Sequence, residues 1–358
     1  MKYGKEEAVM TRGLAILSMV CLHLFCRLGS DVVCQPLLWI NSEKPFVYWI
    51  GFFCEICVPL YSMCAGYAQY LMFQKNRSSF KLRGKRILKL LKNYWIILAM
   101  FCLLGIFFDT EGRIPGGIWN FLKSIVLLHS YNGTWWYLKT YIILLLIPAG
   151  VLLFPVKKIN AYLGVVLCLA MSAGWYLAGK FQLTDITFHN TVFEFIKTEI
   201  LNLIHVLPFF WIGAFLCKAN IFEVLGERIQ NSNRKNWINA GIIVGVIIMF
   251  VVINLLEKAV LIYPAAVVVF LSFNLIKKPV FVQKLFLFLG KHSTNIWLTH
   301  MFFLSVLFIG LVWKAKYPVL IVLFMLVLCV AASYAEMLIS FALDKITALF
   351  RAKTNESV

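Results

Sequence analysis

An arginine and a histidine lie eleven residues apart in the first apolar segment of the chain. Between Arg12 and His23 stand ten residues without a charge, Gly13 to Leu22. In an α-helix with ~100° per residue, eleven residues return a side chain to within ~20° of its starting direction and rise roughly 16 Å. Ionisable side chains at membrane depth are costly and usually face a cavity or a partner. The pair therefore predicts a basic group at the cytosolic edge and a proton-accepting imidazole near the membrane midplane.

Two further arginines form a second candidate group in a basic segment, where Arg83 and Arg86 are three residues apart. On a helical turn they share a face. Guanidinium groups bind phosphate through two parallel hydrogen bonds, so such a pair suits a diphosphate or a nucleotide phosphate. The competing interpretation is positive-inside topology with anionic lipid contact. The pattern of basic residues alone favours the topology interpretation. Arg12 is predicted at the same membrane face, which makes a phosphate site more competitive with it.

Four other side chains in or beside apolar segments are candidates for chemistry. Glu55 is predicted at a membrane depth similar to that of His23. A carboxylate that accepts one ring N–H would fix the imidazole tautomer and raise its basicity. A protonated structural Glu55 that bonds to a neighbouring helix explains the residue equally well. Ser293 and His300 are seven residues apart and share one helix face. For His300, an interhelical hydrogen bond is as good an explanation as a direct catalytic role. Trp136 opens a helix at the predicted outer face, where a belt aromatic is the default and stacking on a sugar ring is the alternative.

The remaining titratable residues give no distinct pattern. Snorkelling explains Glu336 near the predicted cytosolic end of the last helix. The ten cysteines are scattered, and Cys54-x-x-Cys57 has no second pair and no histidine at metal-ligand spacing. We therefore predict neither a disulfide framework nor a metal site. Structural or interfacial roles are assigned to four histidines, namely His129, His189, His205 and His292.

The elements that position these residues are predicted to be membrane-spanning helices. The 358-residue chain is 61% hydrophobic and only 14% charged, whereas a soluble domain carries about 25% charge. Positive flanks on many membrane helices, rather than nucleic-acid binding, explain the net charge of +18. A span needs about 20 apolar residues. The sequence predicts an all-α polytopic bundle of about ten spans, at 8–29, 46–73, 93–109, 134–155, 161–180, 199–218, 237–256, 258–276, 285–312 and 318–343.

The distribution of lysine and arginine sets the predicted orientation. Both termini are placed in the cytosol, because the opposite orientation would put most basic residues outside. The sequence thus predicts a multi-pass plasma-membrane protein with a single transmembrane domain at 1–345 and a disordered polar tail at 346–358. Segment 115–131 is predicted to be interfacial or re-entrant, and 221–236 a surface helix or loop.

Six segments resemble, in order, motifs of the integral membrane acyltransferase-3 family. They are 12–23, 58–67, 83–95, 133–138, 207–215 and 290–300. The chain departs from the family pattern at Met10-Thr11, where an acidic residue often precedes the arginine. It departs again at Cys64-Ala65-Gly66, which replaces Ser-Gly.

The resemblance implies a membrane O-acyltransferase. Such an enzyme moves an acyl group, usually acetyl, from cytosolic acyl-coenzyme A to a hydroxyl of an extracytoplasmic or lipid-linked glycan. His23 would act as general base or acyl carrier. Glu55 is added as the second catalytic residue on its predicted depth and not on the resemblance. The remaining assignments are coenzyme A binding by Arg12, Arg83 and Arg86, and acceptor binding by Trp136, Ser293 and His300. Two alternatives stay open, a transporter or flippase of a lipid-linked sugar and a non-catalytic scaffold of an envelope complex.

Overall fold

The computed structural model describes residues 3–26, 34–40, 44–109, 111–188 and 190–356, with side chains described as far as residue 349. His189 lies outside these residues. Within them the protein is helical, apart from an isolated bridge between Trp39 and Pro45. The predicted all-α class is confirmed.

The part of the chain that the structure describes contains fifteen α-helices. In chain order they are α1 (Lys5–Phe25), α2 (Phe46–Phe53), α3 (Cys57–Gln74), α4 (Phe80–Phe108), α5 (Ile118–Ile125), α6 (Trp136–Leu146), α7 (Ala149–Leu152), α8 (Phe154–Lys158), α9 (Ala161–Lys180), α10 (Thr191–Lys218), α11 (Ile221–Gln230), α12 (Lys235–Leu256), α13 (Ile262–Leu275), α14 (Val280–Met301) and α15 (Pro318–Glu356). A 3-10 turn, Cys54–Ile56, joins α2 to α3, and a π-helical turn, Phe302–Val306, follows α14.

Seven helical stretches in the described part are long and apolar enough to cross a membrane. They are Lys5–Phe25, Phe46–Gln74, Phe80–Phe108, Ala161–Lys180, Thr191–Lys218, Lys235–Leu256 and Pro318–Leu349. A polytopic membrane protein is thereby confirmed, while the number ten and the cytosolic termini stay predictions. The predicted span 134–155 is divided among α6, α7 and α8. The break between α6 and α7 falls at Pro148, which has no N–H to donate and disfavours a helical conformation at Ile147. Helix α15 continues through Glu356, past the predicted domain end at 345.

The chain forms two compact units. Unit 1 comprises Met1–Val32, Leu38–Arg83 and Trp136–Ser293. Unit 2 comprises Val33–Leu37, Gly84–Trp135 and Thr294–Val358. Most of the predicted site residues belong to unit 1, and Arg86 and His300 belong to unit 2.

In unit 1, α1 and α14 approach each other at two glycines. A Cβ at Gly13 would overlap the carbonyl oxygen of Phe286, and a Cβ at Gly290 would overlap the carbonyl oxygen of Val9. Small residues let helix backbones come into direct contact inside a membrane. The two glycines therefore fix α1 against α14 in the turns that flank Arg12.

A second pair of glycines joins α3 to α10 in the same unit. A Cβ at Gly66 would overlap the carbonyl oxygen of Phe210, and a Cβ at Gly213 would overlap that of Met63. Two asparagines help to start the neighbouring helices, because the side chain of Asn160 accepts hydrogen bonds from the first turn of α9 and Asn190 does so for α10. A third close approach joins α9 to α10, because a Cβ at Gly164 would overlap the ring of Phe215.

Unit 2 contains a buried polar network centred on Asn295 of α14. Asn93 of α4 donates to Asn295 Oδ1 at 3.0 Å. Asn295 Nδ2 in turn donates to Ser333 Oγ at 3.1 Å and to Glu336 Oε2 at 2.7 Å on α15. Glu336 is 2% exposed, so the snorkelling interpretation of this residue is wrong. Its carboxyl group stays inside because Asn295 supplies a hydrogen-bond donor there.

Candidate active site

Helix α1 carries the two residues with which the sequence argument begins. It runs without a break from Lys5 to Phe25. Arg12 and His23 are both half-buried, whereas Ile16 and Leu24 are fully buried. Because the helix is continuous, the two side chains share a face and are separated by roughly 16 Å along the axis. The residues that the sequence predicts to anchor an anion and to accept a proton thus lie along one side of a single continuous helix.

The turn of α1 that holds Arg12 is fixed by Thr11. The Thr11 side chain is fully buried. Its hydroxyl donates to the Glu7 carbonyl at 2.8 Å and lies 3.1 Å from Oδ1 of Asn274 on α13. The single hydroxyl hydrogen is shared between these two acceptors, so Thr11 makes a neutral polar contact between α1 and α13 beside Arg12.

Tyr3 anchors the chain in front of α1. Its ring stacks on Phe222 with centroids 5.0 Å apart and lies 4.6 Å from the ring of Tyr67. Its hydroxyl is 3.1 Å from Cys64 Sγ, and Arg12 lies within electrostatic reach. Burial, followed by the neighbouring Cys64, raises the pKa of Tyr3 well above its usual range, so the phenol is neutral. Sequence reasoning missed this contact, because a single aromatic residue before a helix is not distinctive.

Tyr61 of α3 lies between two of the predicted site residues. Its hydroxyl is buried, makes no hydrogen bond within the described part of the chain, and lies close to the Ser293 hydroxyl and within electrostatic reach of the Arg12 guanidinium. Ser293 is 1% exposed, and its Oγ donates to the Gly290 carbonyl at 2.9 Å. The structure therefore brings Ser293 to the Arg12 end of α1.

Glu55 occupies the 3-10 turn between α2 and α3 and is half-buried. It lies within electrostatic reach of Cys26, just beyond α1, and of Tyr263 on α13. The adjacent Cys54 contacts Cys21 of α1. The turn thus packs against the stretch of α1 that contains His23, at the predicted depth. A direct pairing of Glu55 with His23 stays a prediction.

Arg83 has a structural contact that its sequence pattern does not indicate. The side chain is 5% exposed. Its Nη1 donates to the Leu145 carbonyl at 3.0 Å and also to the Ile147 carbonyl, at the end of α6. The last carbonyl groups of a helix have no partner within the helix, so Arg83 caps α6. Its Nε is buried and has no acceptor among the described residues. Arg86 follows on α4 and is half-buried.

His300 lies in unit 2 and is 1% exposed. Its Nδ1 donates to the Trp297 carbonyl at 2.8 Å. A carbonyl only accepts, so Nδ1 carries the hydrogen and Nε2 is the basic nitrogen of the neutral ring. The π-helical turn that begins at Phe302 follows directly, and such turns are frequent at functional sites.

The sequence was compared with models of known protein families. A family model for the acyltransferase domain of acyltransferase-3 proteins matches residues 10–337. The chain belongs to the acyltransferase-3 family. The matched region contains every predicted site residue, and the protein is accordingly a membrane acyltransferase. No curated protein and no solved structure matches the chain significantly.

At two positions this chain differs from the motifs of its family, and the structure shows what the different residues contact. Where other acyltransferase-3 proteins often have an acidic residue before the arginine, this acyltransferase has Thr11 and its contact with Asn274. Where they have Ser-Gly, it has Cys64-Ala65-Gly66, and the Cys64 Sγ meets the Tyr3 hydroxyl. Among the described residues, no cluster of histidine, cysteine, aspartate or glutamate is arranged to hold a metal ion.

Proposed function

We propose that this acyltransferase moves an acyl group, acetyl in the simplest case, from cytosolic acyl-coenzyme A to a hydroxyl of an extracytoplasmic or lipid-linked glycan. The enzyme would be a multi-pass protein of the plasma membrane with both termini in the cytosol. The observation that carries the proposal is the face of α1, on which Arg12 and His23 are half-buried and roughly 16 Å apart along an unbroken helix. The thin pantetheine arm of coenzyme A has a length of the same order.

Three arginines would bind the phosphate groups of the donor. The half-buried Arg12 and Arg86 each offer a guanidinium, and the buried Nε of Arg83 offers a donor that no described residue satisfies. Phosphate oxygens are the acceptors that guanidinium groups bind best. The residues present therefore fit an anionic nucleotide donor.

His23 would act as the general base. One ring nitrogen takes the proton from the acceptor hydroxyl while that oxygen attacks the thioester carbonyl carbon. The new C–O ester bond forms, the C–S bond breaks, and the leaving thiolate receives the proton back from the imidazolium. Glu55, held in the turn that packs against this part of α1, would favour the imidazolium while it exists.

An acyl carrier role for His23 is the second route. The ring nitrogen would then attack the thioester carbon and displace the coenzyme A thiolate. In a second step the acceptor hydroxyl would attack the acyl-imidazole, the C–N bond would break, and the hydroxyl proton would pass to the thiolate. Release of one equivalent of coenzyme A in the absence of acceptor would select this route. A strict requirement for acceptor would select the general-base route.

Replacing Arg86 with alanine is expected to weaken acetyl-coenzyme A binding by about tenfold, because a charge-assisted hydrogen bond to phosphate is lost. Arg83→Ala should weaken it similarly and also lower thermal stability, because the C-terminal carbonyls of α6 lose their cap. The dissociation constant is measured by titration calorimetry on purified protein. Lys85→Ala, an exposed neighbour on α4, is the matched control. Unchanged acetyl-coenzyme A affinity in both arginine variants would contradict a role of Arg83 and Arg86 in donor binding, and would leave membrane topology as the explanation of these basic residues.

Mass spectrometry of surface glycans tests the proposed function in cells. Cells that lack the protein are expected to lose one acyl mass from a glycan, and re-expression should restore it. Identical glycan masses with and without the protein would contradict the proposal. A glycan that keeps its acyl groups but accumulates on the cytosolic side would favour the transporter alternative.

A further inference from the structure

A buried ion pair joins α6 to α10 in unit 1. Lys139 Nζ lies 2.5 Å from Glu199 Oε1, and the Glu199 side chain is only 8% exposed. The other carboxylate oxygen, Oε2, is buried and accepts no hydrogen bond from the described residues. Such an oxygen is costly without a donor, above all inside a membrane-spanning helix. Glu199 therefore presents one charged acceptor atom that the described chain does not use.

Aromatic rings lie on the two helices of this pair and on their neighbours, with Trp136 one turn before Lys139 on α6 and His205 six residues after Glu199 on α10. The ring of Trp136 on α6 has its centroid 6.2 Å from that of His205 on α10. Trp175 of α9 and Tyr263 of α13 lie 5.9 Å and 6.4 Å from the same imidazole. All four rings are half-buried, whereas the adjacent core ring of Phe209 is 1% exposed. The four rings thus keep part of their surface free of protein contact.

The aromatic group also borders the predicted reaction centre. Tyr263 is within electrostatic reach of Glu55. The turn that holds Glu55 in turn contacts Cys21 and lies near Cys26, which flank His23 in the sequence. A molecule held against these rings would therefore lie on the side of unit 1 that contains the His23 end of α1.

A sugar ring matches this combination of groups. A pyranose presents a rim of hydroxyl donors and an apolar face of C–H groups, and the rim suits a carboxylate acceptor while the face packs on aromatic rings. We propose that Glu199, Lys139, Trp136, Trp175, His205 and Tyr263 form the acceptor site, which holds one pyranose ring of the glycan. Glu199 Oε2 accepts a hydrogen bond from a sugar hydroxyl, Lys139 stays paired with Glu199 Oε1, and the rings cover the apolar face. The inference rests on the proposed function, because it names the substrate class of the same acyltransferase.

Sugar binding to purified full-length protein in nanodiscs tests the site. The probes are the methyl glycosides of glucose, galactose, rhamnose and N-acetylglucosamine, titrated by calorimetry with and without acetyl-coenzyme A. Glu199→Gln and Trp175→Leu are each expected to weaken binding of the preferred glycoside by about tenfold, because a charged hydrogen bond or a stacking surface is lost. The affinity for acetyl-coenzyme A should not change in either variant.

Matched controls separate this effect from a general loss of structure. Glu194→Gln removes a carboxylate from the same helix that is also paired with a lysine, Lys197, but whose side chain is 39% exposed. Trp237→Leu removes an exposed tryptophan from α12. Both controls should bind the glycoside as the unaltered protein does. If Glu199→Gln proves unstable because Lys139 keeps its charge, the double variant Lys139→Gln with Glu199→Gln removes both charges.

The possible outcomes distinguish the two proposals. Failure of the unaltered protein to bind any of the four glycosides overturns the acceptor site, as does unchanged glycoside affinity in both Glu199→Gln and Trp175→Leu. Glycoside binding that depends on Glu199 and Trp175, without acyl transfer from labelled acetyl-coenzyme A to any acceptor, supports the site and overturns the proposed function. Binding together with transfer supports both.

Discussion

Replacing His23 with alanine is expected to reduce acyl transfer by about 10²–10⁴-fold while the protein stays in the membrane, because a positioned general base contributes about that factor. The half-buried side chain lies on α1, whose core contacts are made by other residues such as Ile16 and Leu24. The fold should therefore survive the change. The initial rate of coenzyme A thiol release, measured with acceptor and normalised to the amount of membrane-embedded protein, gives the effect.

His129→Ala is the control for the loss of a histidine as such. His129 is also half-buried, but its Nδ1 lies 3.0 Å from Ser124 Oγ, five residues earlier in unit 2. This contact holds a local turn and involves none of the predicted site residues. This variant should transfer acyl groups at close to the normal rate. A normal rate in His23→Ala would remove His23 from the chemistry.

Placing a methyl group on Gly13 or Gly290 is expected to be the most damaging change to the structure. In each variant the new Cβ meets a backbone carbonyl of the facing helix, Phe286 or Val9, so the helices must separate. Overpacking of this kind costs about 1–3 kcal/mol, occasionally more. Since Gly13 follows Arg12 directly, donor binding should weaken along with thermal stability in detergent.

Gly245→Ala provides a control of opposite sign. Gly245 lies inside α12 and has open space around its Cα, so an alanine there meets nothing. Because glycine inside a helix is less stable than alanine by roughly 0.5–1 kcal/mol, this variant should be slightly more stable. Equal melting temperatures for Gly13→Ala, Gly290→Ala and Gly245→Ala would contradict the close contact of α1 with α14.

The sequence predicts well those features that depend only on the residues of a single segment. The alignment of Arg12 with His23 needs only a continuous helix, and apolar composition without proline supplies one. The segment at 134–155 shows the opposite case. Its composition is apolar enough for a span, but Pro148 interrupts the hydrogen-bond ladder and leaves α6 with 11 residues.

The features that the sequence misses depend on contacts between distant segments. Arg83 is part of a cytosolic basic pattern, yet its Nη1 caps α6, which begins more than fifty residues later. Glu336 resembles a snorkelling residue until Asn295 is brought beside it. His205 alone has no distinctive pattern, because the rings around it come from α6, α9 and α13. Charge and hydropathy along the chain contain no information about such partners.

The central claim is that this protein esterifies a glycan hydroxyl with the acyl group of acyl-coenzyme A. The most direct measurement incubates the purified full-length protein in nanodiscs with acetyl-coenzyme A labelled in the acetyl group and with a lipid-linked glycan fraction, and then determines the glycan mass. The predicted result is a glycan heavier by one labelled acetyl group, formed by the unaltered protein and not by His23→Ala. A glycan of unchanged mass, with the label still on coenzyme A or released as acetate, would contradict it.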